Sequence, residues 1–190
     1  VLFRSTRSFD ATGGFSVQVS GGIYGNCIDR DAEKEYLKKA IYNRITEDHE
    51  PEYTQKALYQ GHDDIGDTYV EVNMTDQKLY YYVDGELKID TPVVTGDMMR
   101  RMDTPSGTNY VYFKQKNRTL IGRDYQTFVN YWIAVNGHIG IHDATWRRDF
   151  GGDIYMTQGS HGCVNTPMEA VSELYDMIEI GTPVVMYYTD

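Results

Sequence analysis

Cysteine is scarce in this chain. Only Cys27 and Cys163 occur in 190 residues, and they are too far apart for a CxxC zinc ribbon or redox dithiol. A single long-range disulfide is the one cross-link the chain could form. Positive charge is also short, with 18 Lys and Arg against 28 Asp and Glu and a net charge of −10. That is the wrong sign for following nucleic-acid phosphates or an anionic membrane surface, so no nucleic-acid partner is expected. No run approaches the roughly 18 apolar residues of a membrane span. The opening VLFRSTRSFD contains no signal-like apolar block, so any signal or anchor is expected outside this chain. What is plentiful is core and tyrosine: 41% hydrophobic residues suffice for packing, and most of the 17 tyrosines suit strands.

The patterning changes once along the chain. Residues 15–24 read as a strand ending in GGIYG. A helix then starts at Asp29 as N-cap, with acids in its first turn, bases towards its end and an apolar stripe of Leu37, Ala40 and Ile41. Polar segments follow, with His49 and His62 read as solvated, and a boundary is expected near residues 60–66. This divides the chain into a partial small α/β module (1–62) and a second domain (66–190). The second domain has period two. Val70, Val72 and Met74 alternate with polar residues, KLYYYVDGELKID turns at Asp84 and Gly85, and two more strands lead to a turn at Asn136–Gly137. On the strand that follows, His138, Gly140 and His142 share one face. The principal helix comes after Cys163, with Thr166 as N-cap, Pro167 at N1 and Glu169 at N3 in a capping box. Val171, Leu174 and Ile178 face the core, Gly181 closes the helix, and PVVMYY forms a final strand. The fold class is mostly β (α+β), with one principal helix after Cys163.

GSHGCVNTP, residues 159–167, places Cys163 just before that helix. Helix and loop amides there would lower a thiol pKa towards a thiolate, and His142, on the polar face of a strand, is a base that the fold could bring beside it. Gly162 permits close backbone approach, so the Gly162 and Cys163 amides could form an oxyanion hole. These ingredients suit acyl transfer. Other readings compete: a buried apolar Cys, a Cys27–Cys163 disulfide, or zinc held by His138, His142, His161 and Cys163. The zinc reading would make the chain a non-catalytic binding module, and the acyl-transfer reading expects no metal or cofactor. Trp146 reads as a cleft residue or a core cap, and FGGD (150–153) as a lid hinge or a plain turn. Asp143 follows the base directly, and on an extended chain its side chain points away.

A His followed after seventeen residues by Ser-His-Gly-Cys, as in IHDATWRRDFGGDIYMTQGSHGCVN, resembles the signature of the L,D-transpeptidase (YkuD) catalytic domain. YVEVNMTDQKLYYYVDGEL, VVTGDMMRRMDTPSGTNYV and TPVVMYY are similar to other segments of that family, over residues 67–190. Residues 21–53 resemble the end of the domain that often precedes it in Gram-positive members. The resemblance implies a bacterial enzyme at the extracellular face of the cell envelope, anchored through a segment outside this chain. Its partners would be peptidoglycan stem peptides, as donor and acceptor, and carbapenem inhibitors. By the same resemblance Cys163 is the nucleophile, His142 the base and His161 a second histidine, while Ser160 supports the base through its backbone. The cysteine would displace D-Ala from a tetrapeptide stem to form a thioester, which a side-chain amine converts to a 3-3 cross-link. The alternative is hydrolysis of the same stems by a cysteine L,D-carboxypeptidase. Asn165 stands where many members carry an arginine that contacts a carboxylate. It is assigned with Trp146 and His138 to substrate binding.

Overall fold

The structure, a computed structural model, describes residues 6–61, 63–122 and 125–189; His62, read from sequence as solvated, lies outside them. In chain order the first elements are β1 (Arg7–Ala11), β2 (Phe15–Val19), β3 (Cys27–Ile28), α1 (Arg30–Asn43) and β4 (Tyr53–Gln55). Next come β5 (Tyr69–Asn73), β6 (Lys78–Val83), β7 (Glu86–Pro92), β8 (Gly107–Tyr110) and β9 (Phe113–Ile121). The last are β10 (Gln126–Asn136), β11 (Ile139–Asp143), α2 (Ile154–Gln158), β12 (Val164–Thr166), α3 (Met168–Met177) and β13 (Pro183–Tyr187).

Two sheets make the body. One runs β7-β6-β5-β13-β8 and the other β12-β11-β10-β9. Only β13–β5 and β11–β12 are parallel among these pairs. Between the sheets and α3 lies the main core, where Val70, Val72, Leu79, Val184 and Met186 join Ile133, Ile141, Val164, Val171 and Leu174. Each such side chain, fully withdrawn from water, contributes about 1.5–3 kcal/mol. The period of two sends alternate residues of β13 the other way. Val185 and Tyr187 pack with Phe9, Ala11, Val19 and Ile65, so the β1–β2 hairpin covers the outer face of the five-stranded sheet. Buried Glu71 on that face accepts from the Thr12 amide (3.0 Å), the Thr12 hydroxyl (2.7 Å) and the Tyr187 hydroxyl (2.5 Å). A buried Arg7–Asp64 pair at 2.8 Å ties β1 to the segment entering β5.

Several local expectations meet the structure directly. Asp84 and Gly85 both have positive φ, 51° and 77°, as a two-residue turn joining β6 and β7 demands. Asp29 caps α1 by accepting from the Asp31 and Ala32 amides at 3.1 and 3.0 Å. Others are corrected. The strand expected over 15–24 ends at Val19, and β1 before it had no clear signature. The α1 stripe does not face a core, since no residue of the helix is buried and Ile41 is 79% exposed. This helix is held at its ends instead. Its N-cap amide donates to Glu52 (2.8 Å), and a left-handed Arg44 closes it. His49 is not solvated: its ring stacks on Tyr36 at 3.4 Å, and its Nε2 lies 2.8 Å from Glu33.

The capping box at α3 does not form. Thr166 belongs to β12, paired with Asp143, and is fully buried, while Pro167 takes the N-cap position without a side-chain cap. A residue bound into a sheet cannot turn its hydroxyl to the helix amides. Gly181 does not close the helix either. The helix stops at Met177, and Gly181 turns the chain into β13. FGGD forms a turn in which the Gly151 amide is tied to the Val93 carbonyl at 2.9 Å. It leads into the short α2. No helix among the described residues is long and apolar enough to cross a membrane.

Candidate active site

β11 and β12 lie side by side in parallel, with His142 opposite Asn165. That register brings together residues that are 23 apart in sequence. The loop before β12 is clamped by residues 93–104. Val94 and Asn165 exchange two backbone bonds of 2.9 Å, the Ser160 amide donates to Thr95 (2.9 Å), and the Asp97 amide donates to Ser160 (3.0 Å). The Thr104 hydroxyl then donates to the Gly162 carbonyl at 2.7 Å. Gly162 has φ of 112°, and a Cβ there would meet Ile139 at 2.8 Å, so only glycine fits this corner.

Cys163 is 7% exposed, packed with Val129, Trp132 and Ala134. Its thiol donates to the His138 carbonyl at 3.5 Å. Burial pushes the thiol pKa up to about 11, against a smaller lowering by a backbone hydrogen bond with Gly140. The expectation of a thiolate stabilised by a helix terminus is therefore overturned. β12 separates Cys163 from α3, and the dominant influence on the sulfur is loss of water. The two cysteines are both free, so there is no disulfide.

His142 is 3% exposed. Its Nδ1–H donates to the Asp143 carbonyl at 2.8 Å, which fixes the tautomer and leaves the Nε2 lone pair as acceptor. The Asn165 amide nitrogen donates to that Nε2 at 3.3 Å, and Asn165 Oδ1 accepts from Arg147 Nε at 2.8 Å. Burial holds the His142 pKa below the ordinary imidazole value; the Asp143 bond opposes it. Ring and thiol are thus both neutral near pH 7. Ser160 does not orient the ring: its backbone binds Thr95 and Asp97, and its hydroxyl donates to the Cys163 carbonyl (2.5 Å). The same hydroxyl accepts from the Gly162 amide at 3.0 Å, so that amide is already engaged and the oxyanion pair read from sequence loses one member.

His142, His161, Ser160, Cys163, Asn165 and Trp146 line one cavity of about 240 Å³. Trp146 is 51% exposed, its ring 6.0 Å from that of His142, so it borders the cleft instead of capping a core. His161 is exposed on the loop, 4.6 Å from the Tyr125 ring. His138 sits in the β10–β11 turn and not on the strand face. Its carbonyl meets the sulfur, while the residue lines two neighbouring cavities. No group of three or more His, Cys, Asp or Glu among the described residues is placed to hold a metal, which removes the geometric basis of the zinc reading.

Three contributors had no clear sequence signature. The Asp143 carbonyl orients the base, while its side chain, as the strand alternation implied, points away to the Asn130 and Tyr131 amides (2.7 and 2.8 Å). Arg147 holds Asn165 from the chain just after β11. Trp132, opposite His142 across the β10–β11 pair, stacks on its ring at 5.7 Å. Gly140 makes room for that indole, since a Cβ at 140 would meet it at 2.6 Å. The position of Gly140 was visible in the sequence, but its purpose was not.

Residues 67–186 match the family model of the YkuD L,D-transpeptidase catalytic domain. The chain is similar to the crystal structure of a cysteine-to-serine mutant of Enterococcus faecium L,D-transpeptidase, at 37% identity over 97% of this chain and 75% of that one, with TM-score 0.83. The avibactam carbamoyl enzyme of Ldtfm matches at 37% over 98% and 74%, with TM-score 0.84. The E. faecium catalytic domain acylated by ertapenem matches at 41% over 64% and 98%, with TM-score 0.58. No curated protein matches the chain.

Proposed function

Because the chain belongs to the L,D-transpeptidase family, we propose that it makes 3-3 peptidoglycan cross-links through a thioester on Cys163, at the extracellular face of the cell envelope. The observation that carries this reading is the shared cavity of Cys163 and His142, with the imidazole fixed so that Nε2 accepts a proton. The thiol, neutral at rest, turns from the His138 carbonyl to Nε2 as the Asn165 amide yields that position. Sulfur attacks the carbonyl of the third stem residue while its proton passes to His142. The C–N bond to D-Ala then breaks, and the imidazolium returns the proton to the departing amine. The side-chain amine of a second stem attacks the thioester and gives its proton to His142. The new C–N bond forms, the C–S bond breaks, and sulfur takes the proton back. No cofactor is required for this balance. The acylation of the E. faecium domain by ertapenem supports the same acyl-enzyme chemistry here, with carbapenems as inhibitors.

Incubating the protein with a tetrapeptide stem and an amine-bearing acceptor stem, then weighing the products, tests the reading. The expected product is a cross-linked pair lighter than the two stems by one D-Ala. Tripeptide as the sole product would assign hydrolysis instead, and no D-Ala release would contradict both.

A further inference from the structure

Two clefts meet at Cys163. The smaller, described above, contains His142; the second, about 380 Å³, runs the other way past Leu120, Tyr112, Phe113, Trp132 and Arg118, and His142 is not part of its lining. Arg118 stands on β9 with its guanidinium carbon 5.8 Å from the Phe113 ring centre and 5.5 Å from that of Trp132. Its Nη1 donates to Gln115 Oε1 at 2.9 Å. Its Nε is fully buried and has no acceptor among the described residues. A buried guanidinium N–H without a partner is costly and rare in a finished site. The ring contacts and Gln115 hold the group in place in the wall of the second cleft, with its Nε hydrogen still unclaimed. Arg7 grips Asp64 through its own Nε and Nη2, at 3.1 and 2.8 Å. This is the geometry that matches a carboxylate.

Resting on the acyl-transfer reading above, we propose that Arg118 is a substrate-binding residue that takes a carboxylate on the acyl half of the donor stem. The direction follows from the proton path. The leaving amine must receive its proton from His142 and the attacking amine must give one to it, so both amines occupy the His142 side. The acyl half extends into the other cleft, towards Arg118. The fork therefore distinguishes donors by a group that neither leaves nor attacks.

The test compares kcat/KM for a tetrapeptide donor carrying a free carboxylate on its acyl half with the same donor converted to the carboxamide there. Wild type is expected to prefer the carboxylate on the order of 10- to 100-fold, the range of a charge-assisted hydrogen-bond pair. Arg118→Gln removes the preference, and Arg118→Lys, which keeps the charge but not the fork, retains only part of it. A ratio of donors is not moved by a general loss of folded protein. Equal use of the two donors by wild type, or an undiminished ratio in Arg118→Gln, would overturn the assignment. Mass analysis after carbapenem treatment separates the levels: a wild type that forms an adduct but shows no donor preference refutes only the role of Arg118, whereas a wild type that forms none refutes the acyl-enzyme reading beneath it.

Discussion

Cys163→Ser is expected to stay folded and lose transfer by three or more orders of magnitude, the scale on which removal of a nucleophile from a working unit is felt. The serine hydroxyl can donate to the His138 carbonyl that now receives the thiol, so no buried polar atom is left unmatched. A residual stability change of about 1 kcal/mol would move Tm by only about 2–4 °C in a chain of this size. Chemistry suffers instead, because the hydroxyl ionises far less readily and is the weaker nucleophile. Cys27→Ser is the control. Cys27 is a free, partly exposed residue outside the cleft, and its substitution leaves transfer and Tm unchanged. Comparable loss of activity in both variants would contradict the assignment.

His142→Ala is the second large effect, a loss on the order of 10²- to 10⁴-fold in acylation, the usual contribution of a positioned acid or base. Its pH dependence carries more information than its size. Burial disfavours the imidazolium, so the neutral base persists to lower pH than a solvated histidine would allow, and the acid limb of wild type falls below pH 6.5, the ordinary value. That limb belongs to the coupled thiol and imidazole. On the alkaline side the thiol does not ionise until about pH 11, so wild type shows a plateau through neutral pH. Without the imidazole, only spontaneous thiolate reacts. The rate of His142→Ala therefore climbs about tenfold per pH unit towards that value, with no acid limb. His161, on the exposed loop, costs less when replaced by alanine and keeps the acid limb. If His161→Ala abolishes that limb while His142→Ala merely lowers the plateau, the base is the other ring.

The sheets were legible because their signals are local. Alternation over 70–74 and the Asp84–Gly85 turn depend on neighbouring residues alone, and both appear in β5 and in the β6–β7 hairpin. The capping box failed for the opposite reason. Thr166, Pro167 and Glu169 have the right spacing, but β11 claims Thr166 through long-range pairing. The same pairing reverses the electrostatics of Cys163, which a local reading placed at a helix terminus and the fold seals against Trp132. The motif residues from His142 to Asn165 could be named from their resemblance to the family signature. The groups that hold them could not, since a carbonyl such as that of Asp143 has no residue signature, and the stacking of Trp132 on His142 depends on cross-strand register. The α1 stripe shows the limit of periodicity itself, because an amphipathic pattern does not guarantee a partner surface.

The most direct test of the central claim is the mass of the intact protein after exposure to a carbapenem, followed by location of the modified residue. The account predicts one adduct per chain, on Cys163, absent in Cys163→Ser and unaffected by Cys27→Ser. An adduct on Cys27, or none on a wild-type protein shown to be folded, would contradict it.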